Sequence, residues 1–447
     1  HNSCSVKSKV KETKIETTTS VKLKKKMWWE NQKMKLFIGG IVGTILLSII
    51  IAIASEASGS SDEEAIERTP IEAVANANTN FGNALFKILA KPAKNLIMSP
   101  YSVSLVLSMV LNGAEGTTAS QLKQGLTLKD FDVVKNGFKD VLKLSKTNEN
   151  FTLDTANRIY YSEDDFIAES YIQSTKEFFL AEPIGMNFDQ SEQSRTEINQ
   201  WVEGQTNKKI QELIPQGSID ASTKLILVNA IYFKGDFEFK FDKSRTYQKD
   251  FHVSPTQKVQ TDMMHSTEKY GMLHSVTDLK GATALEIPYK GKRVSMIFLL
   301  PTIGVHSLVD LEEAISKVTD LNSILKFEQK SDVEVTLPSF KLESQLNLVE
   351  PLKQLGMTDM FDGAKADFSG MTGGTNKGLF VSQVVQKAFV EVNEEGAEAA
   401  AATAGIMMMR AMPMNPEFTC DRPFMFLIRD NLTGMILFSG HVTDPSK

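Results

Sequence analysis

Apolar and polar positions alternate along this chain with two periods. Over residues 71–90 apolar side chains return at helical spacing, with Val74, Phe81, Leu85 and Ile88 on one stripe, and the run ends near a Lys-Pro pair. Residues 95–111 read as a short apolar strand, a Ser-Pro helix entry at Ser99 and Pro100, and a buried helix. Residues 132–146 are amphipathic, with Lys135, Lys139, Lys143 and Lys146 on one face beside Asp132 and Asp140, and 199–213 predict a helix with its closing turn. Elsewhere the pattern is that of strands: 156–161, 225–241 with a turn at Lys234-Gly235, 250–253, 287–290, 294–301, 333–340, 381–392 and 418–428. Such a mixture predicts an α+β chain whose folded part begins near Arg68.

One stretch obeys neither period. From Gly396 to Gly405 nearly every side chain is a methyl group or smaller, so the segment buries little and is poorly anchored. Two readings remain open. Alanine has the highest helix propensity, but as a strand the same residues would put Ala397, Ala399, Ala401, Thr403 and Gly405 on one face, with Glu398 on the wet one. The run continues through Met407, Met408 and Met409 to Arg410 and Ala411 and is closed by Pro413 and Pro416. An arginine before a small residue on an exposed extended loop is a cleavage site for a trypsin-like protease.

Charge divides the chain unevenly. Residues 1–54 hold ten Lys and three Glu, leaving 39 Lys plus Arg against 52 Asp plus Glu in the rest. An acidic body of this kind excludes a general nucleic-acid binder. Residues 1–33, rich in Lys, Thr and Ser, are expected to be non-folded or upstream sequence. Residues 34–54 contain a 19-residue apolar run, 36–54, preceded by Lys33 and Lys35 and ending in Ala52-x-Ala54. This predicts a signal peptide cleaved near Ser55, with an uncleaved signal anchor as the alternative. Residues 55–67 read as a disordered leader, and 68–447 as the folded domain. The expectation is a secreted, extracellular protein with no membrane association after cleavage, and Asn150 and Asn431 head sequons for glycosylation. With only Cys4 and Cys420 there is no disulfide framework, and Cys420 reads as a spectator thiol.

Enzyme chemistry has no visible carrier. No nucleophile elbow, zinc-helix, Cys-x-x-Cys or phosphate-loop pattern occurs, and the six histidines show no ligand spacing. No catalytic residue and no metal ligand is expected.

The residues Glu394, Glu395, Gly396, Ala397 and Glu398, followed by Ala399, Ala400, Ala401 and Ala402, resemble the hinge of the serpins, and the resemblance continues in family order over residues 68–447. The stretches 95–111, 156–161, 199–213, 225–241, 333–340, 355–361, 381–392 and 418–428 carry it. It implies the serpin fold: a large central β-sheet with additional sheets, about nine helices and an exposed reactive-centre loop. It places the reactive bond between Arg410 and Ala411, and a shutter beneath the sheet at Ser99, Pro100 and Ser102. The implied function is irreversible, suicide-substrate inhibition of a trypsin-like serine protease in a covalent complex, with residues 396–410 inserting into the sheet; the inhibitor is expected to be a monomer. The hinge most resembles that of extracellular arthropod serpins. A non-inhibitory carrier, storage or chaperone-like serpin is the alternative, which usually carries bulky, charged or proline-containing hinges.

By the same resemblance the lysine stripe 135–146 is a candidate site for a heparin-like polysaccharide, the one cofactor considered; a solvated helix face explains it equally. Three positions depart from the family pattern. Lys208 stands where glycine is usual, which puts the local turn in question. Phe237 replaces a tryptophan and keeps an aromatic ring without the indole donor. Gln386 stands where many serpins carry a buried histidine, which removes that route to pH sensitivity.

Overall fold

The computed structural model describes residues 69–92, 94–144, 150–374, 378–394 and 415–447, which all belong to one compact unit, Arg68–Lys447. Helix α1 (Pro70–Leu89) starts in a reciprocal cap between Thr69 and Glu72, with Pro70 in the first turn, where a missing N–H costs nothing. It buries the anticipated stripe of Val74, Phe81 and Leu85. Strand β1 (Leu96–Met98) leads into α2 (Pro100–Leu111), in which every residue is buried. That is why α2 shows no polar face in the sequence: it is wrapped on all sides.

After α3 (Gly116–Gly125) and α4 (Phe131–Leu144) come β2 (Phe151–Ser162), α5 (Glu169–Phe179), β3 (Ile184–Met186) and α6 (Ser191–Gln205). Then follow β4 (Leu225–Gly235), β5 (Tyr247–His252), β6 (Lys258–Val276), β7 (Ala282–Pro288) and β8 (Val294–Leu300). The chain continues through α7 (Leu308–Ile315), α8 (Leu321–Ile324), β9 (Lys330–Pro338), β10 (Phe340–Asn347), α9 (Val349–Gln354) and β11 (Val381–Val392). It ends with β12 (Glu417–Thr419), β13 (Phe424–Asp430) and β14 (Ile436–Val442). Nine helices are therefore present among the described residues.

The strands form two sheets. One has five strands in the order β10-β11-β4-β2-β3, and the other runs β1-β14-β13-β8-β7-β6-β9-β12 with β5 paired to β6. The five-stranded sheet is covered on both faces. Its inner face joins the main core with α1 and α2, and its outer face holds a second cluster in which Ile226, Val228 and Ala230 meet Ile198 and Val202 of α6. A strand buried on both sides cannot alternate, and β4 accordingly reads as the continuous run Leu225–Phe233.

The turn after α6 survives the loss of its glycine. Lys208 holds φ = 61° and its neighbour Asn207 φ = 47°, a left-handed conformation that costs a non-glycine residue about 1 kcal/mol or more. Asn207 offsets part of this by donating to the Asp154 carboxylate at 2.6 Å.

Candidate functional site

Two strands frame the site. β11 is the strand that runs directly into the small-residue stretch, and it pairs in parallel with β4 from Val381↔Leu225 to Val390↔Phe233. Opposite each other in this register stand Gln386 and Asn229, both with no solvent exposure. Asn229 is the lone amide in an apolar strand. A buried amide without partners is costly, and both are fully engaged.

Their partners come from the start of α2. Ser99 caps the helix, its hydroxyl accepting from the Ser102 N–H at 3.2 Å and donating to the Leu437 carbonyl at 2.6 Å. The Gln386 side chain reads the Ser99 backbone in both directions: Oε1 accepts from its N–H at 3.1 Å, and Nε2 donates to its carbonyl at 2.9 Å. Gln386 Nε2 also donates to Asn229 Oδ1 at 2.6 Å, which the Ser102 hydroxyl reaches at 2.9 Å. Asn229 Nδ2 in turn donates to Asn157 Oδ1 on β2 at 2.6 Å. One polar network thus ties α2, β2, β4 and β11 together beneath the middle of the sheet. Pro100 adds a steric stop, for it packs so closely on α1 that a Cβ at Gly82 would come within 2.6 Å of the proline ring.

Higher up, the side-chain contact across the β4–β11 pair is aromatic, Tyr232 of β4 meeting Phe389 of β11 at 5.6 Å, and further rings tie β4 to its surroundings. Phe233 meets Tyr289 edge-on at 4.9 Å, and Phe237 stacks on the same ring at 4.9 Å. Phe237 therefore does keep the aromatic platform without the indole. Burial pushes the Tyr289 hydroxyl well above its usual range. Glu394, the last described residue of the hinge, accepts a hydrogen bond from Thr246 Oγ1 at 2.6 Å. The other hinge residues, Glu395 to Ala402, and the pair Arg410 and Ala411 lie outside the described residues, as do Lys146 and the segments 1–33, 34–54 and 55–67.

On the far side of the loop, the short edge strand β12 pairs in parallel with β9, placing Glu417 opposite Glu334. Like charges in directly opposed positions repel. His265 of β6 lies beside them, with Nε2 3.7 Å from Glu334 and Nδ1 3.1 Å from the Thr336 hydroxyl. Burial and the Arg245 guanidinium hold its pKa below the usual histidine value, against the opposing pull of Glu334 and Glu417.

Other candidates fall away from the slot. Lys135 pairs with Asp132 at 3.0 Å, Lys139 with Glu177 at 2.8 Å and Lys143 with Asp140 at 3.4 Å. The Lys139 ammonium holds the Glu177 carboxyl below its usual value. A sulfated polysaccharide would have to displace three carboxylates to use this face. Asn431 donates to the Lys292 carbonyl and the Ser295 hydroxyl, and the Asn150 amide lies against the same turn, at Gly291. Cys420 is fully buried and its thiol is pushed up by that burial, which leaves it inert. Sequence reasoning missed Asn229 and Asn157; the signal was there in the single amide that interrupts Leu225–Phe233.

Comparison with known proteins agrees with this architecture. The model of the family described as Serpin (serine protease inhibitor) matches residues 76–445. Leukocyte elastase inhibitor A of Mus musculus is 40% identical over 384 residues, covering 84% of this chain and 100% of that protein. Serpin B6 of Pongo abelii is 39% identical over 385 residues, with 84% and 100% covered. Among solved structures, Serpin48, a highly specific serpin in the insect Tenebrio molitor, superposes with a TM-score of 0.72 at 33% identity, covering 86% of this chain and 100% of that one. The chain belongs to the serpin family, and its fold is the serpin fold.

One expectation is corrected by these relatives. Leukocyte elastase inhibitor and serpin B6 belong to the intracellular serpins, which points away from the secreted, extracellular location read from the apolar run 36–54. An apolar run with a basic flank reports hydropathy alone, and hydropathy does not distinguish a working export signal from an apolar stretch with another role.

Proposed function

We propose that this serpin is a suicide-substrate inhibitor of trypsin-like serine proteases, with Arg410-Ala411 as the reactive bond. The observation that carries the reading is the parallel pairing of β4 and β11. A segment that follows β11 and folds back between the two would run antiparallel to both, replacing one parallel ladder by two antiparallel ones, the stronger arrangement per residue. The sheet as it stands is a metastable receiver for its own next strand.

The protease serine attacks the Arg410 carbonyl. The bond to the Ala411 nitrogen breaks, the amine takes the proton from the catalytic histidine, and Arg410 remains on the serine as an ester. Residues 396–410 are then free to enter the slot, a span of about 50 Å at about 3.3 Å per residue. If the tethered protease is distorted before water reaches the ester, it is trapped. Gly396 supplies backbone freedom and Ala397 is small enough to enter first, so Ala397→Arg is expected to turn the inhibitor into a substrate.

A second specificity is favoured by the relatives that are named as elastase inhibitors. Met409 or Ala411 as the bait residue would suit chymotrypsin-like or elastase-like targets. The deciding experiment mixes the full chain with catalytic amounts of trypsin and elastase, followed by denaturing electrophoresis and peptide mass analysis. A covalent complex with trypsin and a released peptide beginning at Ala411 is the expected result. A peptide beginning at Arg410 or Met412 moves the bait to Met409 or Ala411. Cleavage without any complex overturns inhibition and leaves the non-inhibitory reading.

A further inference from the structure

A cavity of about 760 Å³ opens beside the five-stranded sheet, between β2, the C-terminal end of α5 and α6. Its volume falls in the roughly 300–1,000 Å³ range of sites for small organic ligands. β3 covers β2 only at Tyr160–Ser162, and the cavity lies along the preceding part of the strand, away from the β4–β11 slot. One wall is apolar, made by Leu105, Leu142, Leu153, Phe179 and Leu180. Leu180 ends α5 in a left-handed conformation with φ = 52° and remains 55% exposed. An exposed leucine in a strained position at the rim of an apolar hollow is apolar surface without a covering group.

The polar wall is selective. Lys176 is neutralised by Glu182 at 2.8 Å, and Asp154 is turned toward the Asn207 amide. Arg158 is different: its guanidinium lies 3.9 Å from the centre of the half-buried Trp201 ring, and no carboxylate among the described residues is within ion-pair distance. The ring fixes the guanidinium as a flat platform and leaves its charge without an acid. A planar cation held in this way is suited to bidentate capture of a carboxylate.

We propose that this cavity binds a small amphipathic carboxylate, with its acid on Arg158 and its hydrocarbon body against the leucine wall. Charge complementarity selects the ligand's head, since Arg158 is the cation of the lining that lacks an acidic partner among the described residues. The leucine wall selects a hydrocarbon body over a polar one such as a sulfated sugar. The lining meets the polar network of the slot at Asn157.

Dodecanoate, below its micelle concentration, is the probe. Titrated into the full-length protein, it is expected to bind saturably at one site by calorimetry and to change tryptophan emission. In Trp201→Phe, Trp28 and Trp29 still emit, so the ligand-dependent change should vanish from the fluorescence. Arg158→Met should weaken dodecanoate about tenfold or more while leaving the weaker binding of dodecanol unaltered. Leu180→Glu, at an exposed position, should weaken dodecanoate through like-charge repulsion and serves if Arg158→Met does not fold. Non-saturable uptake overturns the proposal. So does equal affinity of dodecanoate for wild type and the folded variants, or dodecanol binding to wild type as tightly as dodecanoate, which would mean apolar adsorption only.

Discussion

The middle of the β4–β11 pair and the attachments of the loop at its two ends are built on opposite principles. In the middle, Gln386, Asn229, Ser99 and Ser102 are wholly buried and bonded to one another across three elements. At the ends the described ties are of another kind: a hydrogen bond from Thr246 to Glu394, the Tyr232–Phe389 ring pair across the strands, and an edge strand of three residues that carries opposed glutamates. Parting the strands at the middle first would strand several amide groups away from water, each worth about 1–3 kcal/mol. Parting them at the hinge end separates the Tyr232 and Phe389 rings, a contact that involves no amide group. The difference implies that insertion starts at the end and that the network is exchanged last, once the entering strand is close enough to replace it.

The largest test of that contrast is Gln386→Leu. The leucine leaves the Ser99 N–H and carbonyl without their present partner and removes the bond to Asn229, so stability should fall by about 1–3 kcal/mol, read from denaturant midpoints. An unchanged midpoint would show that the middle is no lock. A smaller effect is expected for Thr246→Val. Losing one partly buried bond should cost about 1 kcal/mol or less, while the rate of protease trapping rises because the hinge is released. If the variant traps at the wild-type rate, the Thr246–Glu394 bond does not restrain insertion and the contrast loses its upper half.

How much of this was legible in the sequence depends on what each residue reports. β11 was found with its present limits, and α1 and β4 nearly so, because burial imposes a period or an unbroken run. The cap at Ser99 was legible because serine before proline at a helix start has a local meaning. The network around it was not, since Asn157, Asn229 and Gln386 lie on three strands that only the sheet register brings together. The turn at Lys208 went the other way: its residue type argued against a left-handed backbone, and tertiary context imposed one. The described lysines of the α4 stripe, Lys135, Lys139 and Lys143, each face a carboxylate, and the Glu177 that pairs with Lys139 comes from a different helix and could not be seen along the chain.

The smallest expected effect concerns the other attachment of the loop. His265 faces Glu334 on β9, Glu417 on β12, the Thr336 hydroxyl and, from the turn before β5, Arg245. Its pKa is lowered in the fold, chiefly by burial and then by Arg245, so the native state resists a proton that the unfolded chain accepts. The contribution to stability is complete above the ordinary histidine value of 6.5 and is lost as pH falls below it, because there the unfolded state binds more protons. Melting temperatures between pH 7.5 and about pH 5 should therefore decline less in His265→Gln than in the wild type. Equal slopes would mean that the two glutamates offset the burial of His265 completely. The edge strand β12 would then be as indifferent to acid as the network in the middle of the slot, where no titratable group takes part.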